Sequence, residues 1–194
     1  MPKRVLKIRS WKTNVRNSRK NLLIQVRGLL HQFDLKTKKR LGQHFLIDES
    51  VLEQIVTAAE LVPEDVVVEV GPGLGLLTKE LAKKAGKVAA VELDTQLVSV
   101  LKKTLSPFSN VFIVHADILR VPPSELIERY SAGSTRYKVV ANLPYYITSP
   151  VLRHFLEASF KPQLMVVMVQ KEVGEAIVAS SGKMSLLSIS VQFY

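Results

Sequence analysis

Apolar residues follow no period over positions 1–20, and this stretch reads as a loose arm. Leu22, Leu23, Val26, Leu29, Leu30 and Phe33 then recur at helical spacing, which predicts a short amphipathic helix over 21–33. The basic, glycine-containing stretch 38–46 reads as a loop. A second helix is expected to begin near Asp48. Ser50 and Glu53 have the spacing of a capping box, and Val51, Ile55, Val56 and Ala59 supply a buried face.

From there the pattern alternates. Residues 66–70 are a β-branched run ending in a glycine-rich turn, followed by a helix over 76–84. A strand over 87–93, a helix over 95–105 and strands over 111–115 and 137–141 come next. Ser149-Pro150 reads as a helix start leading into 151–160, because proline suits a first turn whose N–H has no partner. Residues 164–169 are almost wholly apolar, as a strand buried on both faces should be. Helices are expected over 171–179 and 184–193. Strands alternating with helices at this spacing predict an α/β fold, a doubly wound and mostly parallel sheet with helices on both faces. The organisation expected is a basic arm and helix over 1–34, then one domain over 35–194.

Composition narrows the classes. The 194 residues suit one domain, and no apolar run is long enough to cross a membrane. The absence of cysteine excludes disulfides and thiolate metal sites. His31, His44, His115 and His154 are too scattered to suggest a metal. Charge is uneven: residues 1–40 hold 13 Lys and Arg against one acid, Asp34, while the remainder holds 14 against 16. A nearly neutral body therefore carries a basic arm. The arm fits phosphate contacts on a nucleic acid, a solvated tail, or an organelle-targeting segment, since residues 1–33 contain no acid. A cytoplasmic location is expected, with a mitochondrial one as the alternative.

Three sites at the ends of predicted strands carry candidate chemistry. Glu69-Val70-Gly71-Pro72-Gly73-Leu74-Gly75 follows the first strand of the body and opens a helix. Glycines there let the backbone turn sharply and let a ligand lie against bare amides. The spacing is G-x-G-x-G, with Leu76 where a dinucleotide fingerprint needs its third glycine, which argues against NAD. Glu92, ending the next strand, can accept hydrogen bonds from both hydroxyls of a ribose. Asp117, after the third, is placed to hold an adenine amino group. Each acid taken alone is equally a solvated strand-end carboxylate.

Asn142-Leu143-Pro144-Tyr145, at the end of the fourth strand, is the more specific signal. The N6 nitrogen of adenine is amide-like, its lone pair delocalised into the ring. The Asn142 side-chain carbonyl and the Leu143 backbone carbonyl can each accept one N6–H. That draws the nitrogen toward a tetrahedral form able to attack a sulfonium methyl. Pro144 stiffens the turn, and Tyr145 offers a face for an extruded base.

Lys39-Arg40-Leu41-Gly42-Gln43-His44-Phe45-Leu46, Glu69–Gly75, Val91–Asp94, Ala116-Asp117, Asn142–Tyr146 and Val169–Val173 together resemble the ribosomal RNA adenine dimethyltransferases, in the right order over roughly residues 20–194. The resemblance implies a Rossmann-like S-adenosylmethionine-dependent methyltransferase fold. It also implies that His44, Leu46, Gly71, Gly73, Glu92, Asp117 and Asn142 contact S-adenosylmethionine, and that no metal takes part. Many members carry Asn where this chain has His44. Lys38, Lys39 and Arg40 are expected on RNA phosphates. The implied substrate is two adjacent adenines near the 3′ end of small-subunit rRNA within an assembling particle, with the protein acting as a monomer. Lys171 and Glu172 match a family motif but are assigned no catalytic role, and His115, His154 and Trp11 read as structural or incidental.

The resemblance further implies a C-terminal truncation. The family's last antiparallel strands and small helical domain lie past Tyr194, so the outer edge of the 164–169 strand should be uncovered, with marginal stability and weak activity. Rival readings are a large-subunit rRNA methyltransferase conferring antibiotic resistance, a DNA adenine methyltransferase, and a non-catalytic nucleic-acid-binding relative of the mitochondrial transcription factor kind.

Overall fold

The computed structural model describes residues 5–7, 18–35, 46, 48–130, 136–180 and 191–192. Six strands form one sheet: β1 (Val5–Lys7), β2 (Val66–Val70), β3 (Lys87–Glu92), β4 (Val111–His115), β5 (Lys138–Asn142) and β6 (Leu164–Met168). Their order is β1-β6-β5-β2-β3-β4, and every pairing is parallel. The helices are α1 (Ser18–Gln32), α2 (Glu49–Ala58), α3 (Leu76–Ala82), α4 (Thr95–Thr104), α5 (Pro123–Tyr130), α6 (Thr148–Leu156) and α7 (Lys171–Ile177).

Both sheet faces are covered, as parallel strands require. On one face Val66, Val68, Val70, Val139 and Ala141 pack with Leu126 and Ile127 of α5 and Val151, Leu152 and Phe155 of α6. On the other, Val67, Val88, Val140 and Val166 pack with α2 and α3 through Ile55, Val56, Leu77 and Leu81. The alternation of strand side chains between faces is what divides the valines in this way. α1 adds a smaller cluster, in which Leu22 and Val26 bury against Leu74, Leu76, Leu97 and Val100.

Several elements depart from the sequence expectations. Val5–Lys7, read as loose arm, pairs with β6, Val5 opposite Leu164 and Lys7 opposite Val166. The outer edge expected to be bare is therefore paired. A three-residue strand is held by backbone hydrogen bonds and shows no side-chain period. α2 is capped by Asp48 rather than Ser50, with Asp48 Oδ1 accepting from Ser50 N at 3.1 Å, Ser50 Oγ at 2.7 Å and Val51 N at 3.4 Å. α6 starts at Thr148, before Ser149-Pro150, because a 3₁₀ turn over Tyr145–Ile147 already leads into it. It ends at Leu156 rather than Phe160. β5 lies one residue later than expected, which makes Asn142 its last residue. α5 was not foreseen. Of the helix expected over 184–193, Val191 and Gln192 are described and helical, and the rest lies outside the described residues. Among the described residues no helix is long and apolar enough to cross a membrane.

At the amino edge of the sheet, the 60–65 loop is tied down by a half-buried cation. Lys138 Nζ donates to the Glu60 carbonyl at 2.6 Å and to Asp65 Oδ2 at 2.8 Å. Against this loop lies Gly86, where a Cβ would meet the Pro63 carbonyl oxygen at 2.2 Å. Gly86→Ala must displace backbone on one side or the other and should cost about 2 kcal/mol or more. Gly28, within α1, has open space around it, so Gly28→Ala should raise stability by up to about 1 kcal/mol. Urea unfolding of the two variants checks both signs. Equal midpoints would contradict the packing described.

Candidate active site

Strand order creates the site. From β2 the sheet grows to β3 and β4 on one side, then the chain crosses over to β5 and β6 on the other. β2 and β5 are neighbours whose following segments leave to opposite faces, and a crevice opens beyond their carboxyl ends. The glycine turn after β2 and the Asn142–Pro144 turn after β5 meet there. A Cβ on Gly71 would sit 3.8 Å from Pro144 Cδ.

Gly71, Gly73 and Gly75 have φ of 67°, 60° and 80°, a region that costs an L side chain strain. Gly71 N donates to the Val91 carbonyl at 3.0 Å, and Gly75 N to that of Pro72 at 2.9 Å, closing the turn that starts α3. Gly75 is doubly constrained, since its Cβ would also press on Leu101 at 2.9 Å.

Glu92 braces this turn from β3. Its Oε2 accepts from Gly73 N at 3.2 Å and its Oε1 from Asp94 N at 2.9 Å. Burial raises its pKa, opposed by backbone N–H donors from Asp94, Gly73 and Leu93 and reinforced by the Asp94 charge. Asp94 in turn caps α4, accepting from Gln96 N at 2.8 Å. Asp117 caps the 3₁₀ turn over Ile118–Arg120, with Oδ1 accepting from Leu119 N at 3.0 Å and Oδ2 3.5 Å from Arg120 Nε.

One cavity is lined by most of the residues picked out from the sequence: Leu46, Gly71, Gly73, Glu92, Asp117, Asn142, Leu143 and Pro144. Tyr145 is exposed at the rim and does not line it, whereas its neighbour Tyr146 does. His44, Lys38, Lys39 and Arg40 lie outside the described residues. Among the described residues no cluster could hold a metal ion.

Sequence reasoning gave no role to Glu69, which lines the same cavity while almost wholly buried. The signal was available: it is the one charge in a run of four valines. Burial pushes its pKa up from 4.5 to about 8, and the Glu92 charge adds to that. The Thr78 hydroxyl beside it opposes this, and neither its oxygen nor Glu69 Oε2 has a hydrogen bond of good geometry. Folding therefore takes up a proton at Glu69 between about pH 4.5 and 8. The stability this contributes is present below that window and is lost as pH rises through it. Glu69→Gln, which stays neutral, should melt close to the wild type at pH 5 and at least about 5 °C higher at pH 9. Parallel melting curves across the pH range would refute the assignment.

Residues 34–194 match the family described as ribosomal RNA adenine dimethylase. The ribosomal RNA small subunit methyltransferase A of Dehalococcoides mccartyi is 53% identical over 174 residues, 90% of this chain and 58% of that protein. Its namesake from Pediococcus pentosaceus is 47% identical over 167 residues, 86% of this chain and 56% of its own. The chain thus spans somewhat over half the length of these relatives. Among solved structures, a dimethyladenosine transferase from Plasmodium falciparum superposes with a TM-score of 0.66 at 27% identity, over 78% of this chain and 53% of that one. The 23S rRNA methyltransferase ErmE does so with 0.64 at 32%, over 75% and 56%. With the glycine turn, Glu92 and the Asn142 turn gathered at one switch point of a parallel sheet, the chain belongs to the ribosomal RNA adenine dimethylase family.

Proposed function

We propose that this chain is the donor-binding and catalytic part of an enzyme that dimethylates N6 of two adjacent adenines near the 3′ end of small-subunit ribosomal RNA. The observation that carries this reading is the shared cavity, in which Asn142, Leu143 and Pro144 stand beside the Gly71–Gly75 turn and Glu92. The names of the curated relatives support the small-subunit substrate.

The residues present fit S-adenosylmethionine. Glu92 offers acceptors for a ribose diol, and the buried, unpartnered Glu69 Oε2 suits a cationic ligand. When bound, that donor supplies a methyl carbon activated by sulfonium. The Asn142 side-chain carbonyl and the Leu143 backbone carbonyl accept the two N6–H bonds, localising the lone pair on N6 for in-line attack. The leaving electron pair stays on sulfur, giving S-adenosylhomocysteine, and the amine proton passes to water. Catalysis is then positioning plus polarisation, with no general base and no metal. Tyr145 and Tyr146, exposed at the rim, are the aromatic faces on which an extruded adenine stacks. The basic arm with Lys38, Lys39 and Arg40 grips phosphates, so binding weakens with salt. The enzyme acts as a monomer in the cytoplasm, a mitochondrial setting being the alternative for an acid-free amino terminus.

Incubating the protein with methyl-labelled donor and under-methylated small subunits, large subunits or DNA tests the proposal. Label is expected in dimethyladenosine at adjacent small-subunit adenines. Asn142→Ala should lower transfer by roughly a hundredfold or more while changing donor affinity less than about tenfold. Label confined to large subunits or DNA would favour the rival enzymes. Donor binding without transfer to any substrate would favour a non-catalytic nucleic-acid-binding protein.

A further inference from the structure

His115 closes β4 and is the register partner of Glu92 on β3. Its side chain reaches across the carboxyl edge of the sheet, with Nε2 3.3 Å from the Leu93 carbonyl oxygen and 3.3 Å from Thr95 Oγ1. A carbonyl only accepts, so the Leu93 contact requires the proton on Nε2.

The carbonyl of Leu93 and the N–H of Asp94 are two ends of one peptide plane. His115 holds the carbonyl end. The N–H end donates to Glu92 Oε1 at 2.9 Å, while Glu92 Oε2 is held by Gly73 N at 3.2 Å. Rotation of that plane would break both bonds together and leave Glu92 Oε1 without its Asp94 donor, with Oε2 still held on Gly73 N. The same plane carries Leu93, a residue 54% exposed that lines the cavity beside Glu92 and Asp117. The Ala116 N–H beside the Leu93 carbonyl is committed to the Glu92 carbonyl at 3.1 Å.

We propose that His115 is a positioning residue for the nucleoside half of the donor. It acts through the Leu93–Asp94 peptide to fix the Glu92 carboxylate against the ribose diol, and this rests on the reading that Glu92 receives that diol. One hydrogen bond at a partly solvated edge corresponds to a three- to tenfold effect on affinity, roughly.

The test measures binding of S-adenosylhomocysteine and its 2′-deoxyribose analogue by calorimetry, for the wild type, His115→Ala and His115→Gln. The glutamine amide nitrogen reaches about as far as Nε2 and donates likewise. The wild type should prefer the ribose form. His115→Ala should bind it about three- to tenfold more weakly and discriminate the deoxy analogue less. His115→Gln should restore both properties. A general loss of fold integrity would weaken both ligands alike and leave the preference intact, so an unchanged preference in His115→Ala, or no rescue by Gln, overturns the proposal. A wild type that binds the ligand without ribose preference instead removes the role of Glu92 and this proposal with it. No binding at all overturns the donor site itself.

Discussion

The crevice between β2 and β5 exists because two hydrogen-bonded neighbours send their following chain to opposite faces of the sheet. After β2 the chain turns into α3, which packs with α2 over Val67 and Val140, and after β5 it turns into α6, which packs over Val68 and Val139. Two helices leaving in opposite directions cannot fill the space above both strands. That space therefore stays open at the strand ends, lined by whatever residues end the strands. Strand-end identity is thus converted directly into site chemistry: Gly71 after Val70, Asn142 as the last residue of β5, Glu92 as the last of β3 and Asp117 just past β4.

Carboxyls at such a place face a conflict between burial and charge. Glu92 resolves much of it with backbone N–H donors, and each of those bonds also fixes a turn, so the electrostatic remedy and the shape of the cavity are one structure. Glu69, one strand over, has no comparable set of donors. Its environment favours the neutral acid, and a buried polar oxygen is left without a partner next to the cavity. An interior position of this kind is not needed for packing, where a fifth valine would serve. Its cost is intelligible if the cavity receives a cation.

The body of the fold was legible because its signal is backbone-scale and redundant. A parallel sheet covered on both faces demands near-continuous apolar runs, and Val66–Val70, residues 88–91 of β3 and Leu164–Met168 answer that demand. The motif residues were legible for the topological reason already given: they fall at strand ends. What escaped was encoded differently. α5 places Pro123, Leu126, Ile127 and Tyr130 at helical spacing, but in eight residues between proline-rich and serine-rich loops, too short to stand out. β1 is held by main-chain pairing that no side-chain pattern announces. The Asp48 cap was decided by a choice between adjacent capping residues, worth only about 1 kcal/mol, and the early start of α6 by the 3₁₀ turn that runs into it. Glu69 and His115 were visible as residues, but the first matters through burial and the Glu92 charge 23 positions on, and the second through the Leu93 carbonyl 22 positions back.

The amino-terminal helix joins charge and packing in a way composition alone conceals. Positive charge concentrates before residue 41, yet Leu22 and Val26 of α1 are buried against Leu74, Leu76 and Leu97. Those three leucines also line the cavity. Leu74 lies inside the glycine turn and Leu76 opens α3, so the outer wall of the turn is supplied by a helix from far earlier in the chain. Burying two such side chains is worth about 3–6 kcal/mol by area, ample to hold α1 in place against its own unfavourable charge density. α1 is thereby held against the cavity wall by apolar contacts that salt does not screen, and its exposed Arg27 is left to act on whatever anionic partner approaches.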